Sequence, residues 1–409
     1  MPVSEKTAIR RSERKKLILQ AIRQTPNASR TVVKELCGLS MDSALSLVEE
    51  LLAEGLIVPC GQSAGGRAGR RATFLKINPA GCYFLGLRYN AGEINGVAMD
   101  FDQQPVCQES LTLPLGATGE QVMAGLYGVA EALLGRLGER ARRVRGIGIG
   151  SPGIIDPEKG VVRRYVHIPQ WREVPLKALM AQRLGLPVYV EHGVKCAARA
   201  MMGLPDYAGA QSLVFAQVGR GISLCLMLEG EIYRGVSYLS GEVGHVFAEA
   251  NGITCECGRQ GCLETVAAEG ALLRKAREGQ AAGGFACLAG KEPTLAGLLQ
   301  GESCGDGDCR ALLARAGEYL GRALADCVTL LNPSHLVACG PLAASPAWRE
   351  GVNSALGARC LPESLAALQV SYTHPQGAFY ALGAARLPYH QQFAPALRGG
   401  GLKESDSLL

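Results

Sequence analysis

From Gly81 onward, short apolar strands alternate with amphipathic helices, and few folds satisfy that pattern. The series opens with a pair of strands within 83–100, continues with a helix at 120–137 and a strand at 144–150, and restarts at Ser212. Strands that alternate with helices are typical of α/β folds. The sequence therefore predicts an α/β domain made of two related halves, the second beginning near residue 200.

The distribution of charge separates the amino-terminal region from the rest of the chain. The first 77 residues contain 13 Lys and Arg against 7 Asp and Glu, whereas the remaining 332 contain 29 against 30. A small basic module indicates a polyanionic partner, because contacts to phosphates release counterions. We expect a DNA-binding domain at 1–78, the α/β domain at 79–388 and a mobile, polar tail at 389–409.

The composition also limits the cellular setting. We find neither an apolar stretch long enough to span a membrane nor a secretory leader, and we expect a cytoplasmic protein without membrane insertion. The fifteen cysteines are odd in number and scattered. Most are therefore expected to be reduced, buried thiols that pack as small apolar groups.

The amino-terminal region has the pattern of a helix-turn-helix. Apolar residues at helical spacing predict a first helix at 15–25. Ser29 is a suitable N-cap for a second helix, Arg30–Cys37, and Ser40 for a third at 41–54. Helices joined by a turn of three or four residues containing Gly make a helix-turn-helix unit.

A basic hairpin is predicted to follow the third helix. Residues 56–58 and 72–77 read as two strands that flank a loop rich in Gly and Arg. This hairpin resembles the wing of a winged helix, and cationic side chains at its tip suit a narrow minor groove. The start of the third helix is the part that meets base edges in such domains. The predicted DNA-contacting residues are Ser29, Arg30, Ser40, Ser43, Ala44, Arg67, Arg70 and Arg71. Asp42 either contacts a cytosine amine or simply faces solvent.

Three cysteines within eight residues stand apart from the scattered ones. Cys255, Cys257 and Cys262 are separated by glycines that permit tight turns, and His245 can complete a tetrahedral set of ligands. Soft thiolates with one imidazole favour structural zinc, although the same cysteines could be ordinary buried thiols. The pair Cys304 and Cys309 lacks further ligands in its neighbourhood, so we interpret it as part of a flexible acidic loop.

Three segments carry a resemblance to a known family. The segments GIGIGSPGIID at 146–156, SGEVGH at 240–245 and GITCECGRQGCLE at 252–264 resemble the signature of the ROK family of sugar kinases and sugar-responsive repressors. The resemblance implies an actin-like ATPase fold with two lobes around a sugar cleft, and zinc on His245, Cys255, Cys257 and Cys262. The repressor branch of that family also carries an amino-terminal winged helix.

The kinase signatures are degraded in this chain. The first phosphate loop reads RYNAGE at 88–93, the second keeps two glycines in GRGISL at 219–224, and the adenosine segment reads ACGP at 338–341. The catalytic segment reads EHGVK at 191–195, which puts Gly193 where family kinases have the general base. We therefore predict no catalytic residues and no enzyme activity.

Sugar binding is expected to survive the loss of catalysis. The family's sugar contacts carry over to Gly153, Glu242, His245 and Glu264, and His192 stands in place of an Asn contact. Two carboxylates and an imidazole suit recognition of neighbouring hydroxyl groups. Trp171 is interpreted either as a platform for a sugar ring or as a core residue.

Together these features predict a repressor that acts as a homodimer or a dimer of dimers on an inverted-repeat operator and responds to a sugar or sugar phosphate. Three alternatives stay open: control by a partner protein, an active sugar kinase with an appended DNA module, and a ligand-independent structural DNA-binding protein.

Overall fold

The computed structural model describes residues 3–62, 72–165, 167–168, 170–207 and 209–394. The chain divides into two compact units. The first contains the described residues up to Ala200 together with those from Gly377 onward, and the second is Met201–Gln376. None of the helices among these residues is long and apolar enough to cross a membrane.

The amino-terminal module has three helices followed by a hairpin. Its helices and strands are α1 (Val3–Gln24), α2 (Arg30–Cys37), α3 (Met41–Ala53), β1 (Ile57–Gln62) and β2 (Thr73–Ile77). The caps that define the helix ends are local: Ser29 and Ser40 accept hydrogen bonds from the first turns of α2 and α3. β1 and β2 pair antiparallel, which confirms the predicted hairpin.

The first unit contains a five-stranded mixed sheet in the order β10-β6-β3-β4-β5 and a small antiparallel sheet in the order β7-β8-β9. Its strands are β3 (Tyr83–Tyr89), β4 (Glu93–Asp100), β5 (Pro105–Thr112), β6 (Val144–Ser151), β7 (Ile154–Asp156), β8 (Val161–Arg164), β9 (Arg172–Val174) and β10 (Val188–His192). Its helices are α4 (Gly119–Leu137), α5 (Leu176–Leu184) and α6 (Gly193–Met201), with 3₁₀ turns at Pro79–Gly81 and Gly138–Arg143.

The second unit has its own five-stranded sheet, in the order β13-β12-β11-β14-β15. Its strands are β11 (Leu213–Val218), β12 (Ile222–Leu228), β13 (Glu231–Tyr233), β14 (His335–Cys339) and β15 (Gln369–Thr373). Its helices are α7 (Glu264–Ala267), α8 (Glu269–Ala281), α9 (Leu295–Ser303), α10 (Gly307–Leu331), α11 (Pro346–Arg359) and α12 (Pro362–Ala367). Further 3₁₀ turns are Pro205–Tyr207, Val243–His245, Ala286–Leu288 and Pro341–Ala344.

The two large sheets share one topology. In each, the first three strands run antiparallel to their neighbours, and two parallel strands continue on the other side of the first strand. The predicted duplication is therefore confirmed, with the second series starting at Leu213.

The chain returns to the first unit through α13 (Gly377–Phe393), an element that the sequence analysis did not anticipate. Gly86 and Gly148 allow its backbone to approach the sheet, because a Cβ at either would lie within 2 Å of a carbonyl oxygen of the helix. The prediction of a mobile tail from residue 389 is wrong for 389–393. Tyr389 and Phe393 pack against Phe84, with ring centroids 5.8 and 5.9 Å away, and so hold the end of the helix. Residues 395–409 lie outside the described residues.

The amino-terminal module shares a hydrophobic core with β3, β4 and α13. Ile18, Val48 and Leu56 belong to the same buried cluster as Phe84 and Tyr389. A polar contact reinforces this core, since the Arg23 guanidinium donates to Asp102 Oδ1 at 2.8 Å and to the Phe101 carbonyl at 2.7 Å. The module is therefore joined to the rest of the first unit by side-chain packing as well as by the polypeptide chain.

Candidate metal centre, ligand site and DNA-binding surface

The three-cysteine loop is a tight turn between the 3₁₀ turn Val243–His245 and α7. The Cys255 N–H donates to the Arg259 carbonyl, and the Gly258 N–H donates to the Cys255 carbonyl, both at 2.8 Å. Phe247 and Cys262 form an isolated antiparallel bridge, which returns the chain to the neighbourhood of His245. These short-range bonds bring together four residues that lie within eighteen positions of one another.

The four side chains have the spacing of a metal site. One ligand atom each from His245, Cys255, Cys257 and Cys262 lies within 4.8 Å of all the others. The distance from Cys255 Sγ to His245 Nδ1 is 3.7 Å, and the distance from Cys257 Sγ to Cys262 Sγ is 3.6 Å. With Zn–S near 2.3 Å and Zn–N near 2.0–2.1 Å, the edges of a tetrahedron are about 3.8 and 3.5 Å. The geometry thus fits a tetrahedral metal ion.

The thiols of this loop differ in their electrostatic surroundings. The backbone N–H of Arg259 lowers the pKa of Cys257 to about 6, because it stabilises the thiolate. Burial raises the pKa of Cys262 to about 12, because a charged sulfur is poorly solvated there. A bound cation would offset that cost by replacing the proton, so the buried thiol also suits a metal.

A glycine at position 261 is required by the loop. Gly261 has φ +75°, and a Cβ there would lie 2.1 Å from the carbonyl oxygen of Glu249. Both facts exclude a larger residue without movement of the backbone. The local chain path therefore depends on this glycine, as the sequence pattern indicated.

Two predicted sugar contacts flank the segment that contains the three-cysteine loop and His245. Glu264 begins α7, two residues after Cys262, and its Oε2 accepts a hydrogen bond of 3.2 Å from the Ile222 backbone N–H. Glu242 precedes the 3₁₀ turn that carries His245 and is exposed. The structure therefore gathers Glu242, His245 and Glu264 around one end of β12 in the second unit.

Gly153 and His192 belong to the first unit. Gly153 lies between β6 and β7 with φ +80°, and a Cβ there would lie 2.3 Å from the Arg164 carbonyl oxygen. His192 ends β10 and is half-buried. Burial lowers the pKa of His192 to about 4, and the charge of Lys195 acts in the same direction while Glu191 opposes it. At neutral pH the imidazole is therefore uncharged; its Nδ1 accepts a hydrogen bond of 3.4 Å from the Val194 N–H, which leaves Nε2 as the donor.

The turn that corresponds to the first phosphate loop is closed by its own side chains. Asn90 Oδ1 accepts hydrogen bonds from the backbone N–H groups of Gly92, at 2.7 Å, and Glu93, at 2.8 Å. Arg88 forms an ion pair with Glu93 and lies over the Tyr380 ring, 5.1 Å from its centroid. Backbone donors that could hold a phosphate are thus already bonded, and a carboxylate is present beside them.

Trp171 is a core residue. Its side chain is only 1% exposed, and its indole N–H donates to the Tyr89 hydroxyl at 3.1 Å. The Tyr89 hydroxyl in turn lies 2.7 Å from Ser151 Oγ. The interpretation of Trp171 as a sugar platform is wrong in this structure, because the ring has no free face.

The predicted DNA-contacting residues separate by exposure. Ser40 is exposed and Ser43 half-buried at the start of α3, and their hydroxyls are 2.9 Å apart. Ser29 is 7% exposed and caps α2, whereas Ala44 is 0% exposed. Ala44 is therefore corrected to a core residue, because its fully buried side chain cannot reach a base edge.

Charges within the module are partly neutralised by ion pairs. Arg30 pairs with Glu49 of α3, and Lys15 of α1 lies 2.8 Å from Glu50 and 2.5 Å from Glu54. These contacts fix the three helices to one another. The remaining candidates for phosphate contact, Arg67, Arg70 and Arg71, lie outside the described residues.

The interpretation of Cys304 and Cys309 as part of a flexible acidic loop is wrong, because Cys304 caps the end of α9 and Cys309 is buried in the first turn of α10. Cys287 lies beside Asp306 and Cys309 in the second unit. Cys287 precedes Asp306 by nineteen residues, so no spacing motif pointed to it.

Taken together, the three helices with their hairpin, the two sheets of equal topology and the Cys₃His loop define a class of protein: a duplicated α/β fold preceded by a helix-turn-helix module. The model of the ROK family matches residues 85–387. The chain belongs to the ROK family.

Several named proteins are similar in sequence to this chain over most of their length. The xylose repressor of Caldicellulosiruptor bescii is 27% identical over 79% of this chain and 82% of its own. The DNA-binding transcriptional repressor Mlc of Escherichia coli K12 is 27% identical over 80% of each chain.

Solved structures confirm the predicted fold class. One is a ROK-family transcriptional regulator, a homologue of the Escherichia coli Mlc protein, which superposes with a TM-score of 0.83 and 22% sequence identity. The match covers 94% of this chain and 98% of that regulator. The ROK hexokinase of Thermus thermophilus has a TM-score of 0.62 and 27% identity, and the match covers 76% of this chain and 98% of the hexokinase.

Proposed function

We propose that this chain is a sugar-responsive transcriptional repressor without kinase activity. One observation carries the proposal: the described winged helix is integrated into the first unit, and the match to a transcriptional regulator spans 94% of the chain, against 76% for a hexokinase. The relatives named as repressors match over 79% and 80% of the chain. The regulator's match exceeds that of the hexokinase by 18% of the chain, about 74 residues, which is close to the length of the module predicted at 1–78.

In this proposal, DNA recognition uses the start of α3 and the wing. Ser40 and Ser43 are accessible to base edges, whereas Ser29 contributes by capping α2 and Arg30 by its position at the start of that helix. Arg67, Arg70 and Arg71 would reach the minor groove. A homodimer or a dimer of dimers would place two such modules on an inverted repeat.

The four ligands of the cysteine loop would hold one structural Zn²⁺. Four protein ligands leave no coordination position for an activated water, so the ion would stabilise the loop and supply no chemistry. With Nδ1 of His245 facing Cys255, Nε2 stays available to a ligand. The zinc would then hold Glu242, His245 and Glu264 in place for sugar binding.

The proposed ligand is a sugar or sugar phosphate bound by Gly153, His192, Glu242, His245 and Glu264. Carboxylates accept hydrogen bonds from hydroxyl groups, whereas the uncharged imidazole of His192, whose Nδ1 accepts from the Val194 N–H, would donate one through Nε2. Sugar binding would weaken operator binding, and by linkage the operator would weaken sugar binding by the same factor. Xylose is the first compound to test, because three relatives are named xylose repressors.

Loss of phosphoryl transfer is supported by three features. Gly193 cannot accept a proton, Asn90 occupies backbone donors of the first phosphate loop, and Glu93 adds negative charge beside them. The alternative of an active sugar kinase requires a base and a phosphate cradle that the described residues do not form at these positions.

The test is fluorescence anisotropy of a labelled inverted repeat from upstream of the protein's own or adjacent genes. We expect tight, salt-dependent binding that one sugar of a panel releases, and no ATP-dependent phosphorylation of that panel. The triple variant Arg67→Ala/Arg70→Ala/Arg71→Ala should weaken binding and reduce the salt slope by about one for each lost phosphate contact. Arg277→Ala, at an exposed ion pair of the second unit, is the matched control.

Other outcomes would redirect the proposal. Sugar phosphorylation without specific DNA binding would make the protein an enzyme. Suppose instead that no sugar releases specific DNA binding but a partner protein from a fraction of cell extract does. The protein would then still be a repressor, controlled by that partner instead of a sugar.

A further inference from the structure

A second cluster of metal-ligand side chains lies in the second unit and shares no residue with the three-cysteine loop. Cys287 comes from the 3₁₀ turn Ala286–Leu288, Asp306 caps the start of α10, and Cys309 follows in the first turn of that helix. Their two sulfurs and one carboxylate oxygen all lie within 4.8 Å of one another. Three chemistry-bearing groups therefore meet at the start of a long helix.

Asp306 connects the two cysteines directly. Its Oδ2 accepts hydrogen bonds of 3.1 Å from both the backbone N–H and the thiol of Cys287. Its Oδ1 accepts a bond of 3.0 Å from the Cys309 N–H. The carboxylate is thus fixed in orientation before any ligand arrives, which is the arrangement expected of a prepared ligand oxygen.

Neighbouring residues hold the cluster in this shape. Asp308 Oδ2 accepts a bond of 2.8 Å from the Phe285 N–H, which fastens the 285–288 segment to α10. Gly301 of α9 leaves room for both sulfurs, since a Cβ there would lie 2.5 Å from Cys309 Sγ and 3.1 Å from Cys287 Sγ. Because Gly301 has no side chain, the two sulfurs can occupy the space beside it.

The cluster is open on one side. Cys309 is 0% exposed, whereas Cys287 is exposed and Asp306 is half-buried. Cys304, at the end of α9, is also exposed and comes two residues before Asp306. An ion can reach the cluster from solvent, and a water molecule can supply a fourth ligand.

We propose that Cys287, Asp306 and Cys309 form a second metal site that binds a soft, zinc-type divalent ion. Two thiolates and one carboxylate select such an ion over magnesium or calcium. The 3.1 Å from Cys287 Sγ to Asp306 Oδ2 is close to the edge of about 3.5 Å expected in a tetrahedral zinc site. On binding, the metal replaces one proton on each thiol, including the proton that now lies between Cys287 Sγ and Asp306 Oδ2, and both protons leave to solvent.

The site would join two segments that lie on either side of α9 in the sequence: the 285–288 turn and the start of α10. Because the unfolded chain does not hold these segments together, binding energy at this site would stabilise the folded second unit. Its occupancy is independent of which sugar or operator the protein recognises.

The experiment measures zinc per chain in the full-length protein, reconstituted with excess ZnCl₂ under reducing conditions and desalted before elemental analysis. We expect two equivalents for the natural sequence, one for Cys287→Ser and one for Cys257→Ser. Cys60→Ser removes an equally exposed thiol from β1 and should keep two. Cobalt titration of the natural sequence should fill two thiolate sites, and Cys287→Ser should lose one of the two charge-transfer steps.

A single equivalent in both the natural sequence and Cys287→Ser would overturn the proposal. So would a Cys287–Cys309 disulfide, detected by mass spectrometry without reductant, if no second metal equivalent binds after reduction. If Cys287→Ser were to precipitate, the cobalt titration of the natural sequence would still distinguish one site from two.

Discussion

The three-cysteine loop and the Cys287–Asp306–Cys309 cluster are both groups of metal-ligand side chains in the second unit, but the chain assembles them differently. The loop gathers three of its four ligands within eight residues, around turns at Gly258 and Gly261. The cluster joins Cys287, in the turn before α9, to Asp306 and Cys309 at the start of α10, nineteen and twenty-two residues later. A local site is visible in a sequence pattern, whereas a site made by packing is visible only once the helices are placed.

The largest difference between the two sites should appear at Gly261. Gly261→Ala combines positive φ with a contact of 2.1 Å to a backbone oxygen, so we expect a loss of about 2–4 kcal/mol in the free energy of unfolding. Metal content should fall by the equivalent of the loop alone. Urea denaturation and elemental analysis measure both.

The matched control is Gly258→Ala, in the same loop. Gly258 has φ +86° but nothing within 4 Å of an added Cβ, so only the backbone strain of about 1 kcal/mol applies. Equal losses for the two variants would mean that close packing at Gly261 does not define the loop.

The corresponding change at the second site is Gly301→Ala. The added Cβ would push against the sulfurs of Cys309 and Cys287, and we expect a net loss of about 1–2 kcal/mol, since alanine's better helix propensity offsets part of the cost. The second metal equivalent should be lost while the first is kept. Gly357→Ala, in an open position of α11, should instead gain up to about 1 kcal/mol. If Gly301→Ala kept both metal equivalents, the sulfurs of Cys287 and Cys309 would not be the ligands of the second site.

The two sites should also differ in their effect on ligand response. Cys257→Ser releases the loop that carries Glu242 and Glu264, so we expect the sugar concentration needed for half-release of the operator to rise about tenfold or more. Anisotropy titrations give this midpoint. Cys107→Ser, a half-buried thiol of β5, is the control and should leave it unchanged. An unaltered midpoint in a zinc-free Cys257→Ser protein would separate the loop from sugar binding.

The smallest expected effect separates the capping role of Asp306 from its proposed role as a ligand. Asp306→Asn keeps an oxygen that can cap α10, so we expect a loss below about 1 kcal/mol, with weaker binding of the second metal. Asp306→Ala removes the cap as well and should cost about 1–2 kcal/mol. If Asp306→Asn were to bind metal as tightly as the natural sequence, the carboxylate would act only as a cap.

Much of the local structure was predictable because its causes are local. The predicted bounds of α2 agree with the structure at both ends, since Ser29 supplies the cap and Gly38 the left-handed exit, with φ +60°. The duplicated α/β pattern predicted both sheets. The bounds of single elements shifted by a few residues, as at β1, which extends to Gln62.

Side-chain burial was less predictable. Ala44 lies in the first turn of α3, where a recognition helix meets DNA, yet its face of that turn packs inward. Trp171 follows an irregular segment with no periodic pattern, so nothing in the sequence distinguished a buried ring from an exposed platform. Asn90 shows the same limit: its identity was visible, but its hydrogen bonds to Gly92 and Glu93 depend on the shape of the turn.

The sequence by itself determined the helix caps, the alternation of strands and helices, the cysteine loop and the absence of a side chain at Gly193, because each depends on residues close together in the chain. Only the tertiary structure decided that α13 returns to the first unit, that Trp171 is buried beneath Tyr89, and that Cys287 meets Asp306 and Cys309. These features depend on contacts between distant segments. Such contacts form through packing of many weak apolar interactions and leave no fixed spacing in the sequence.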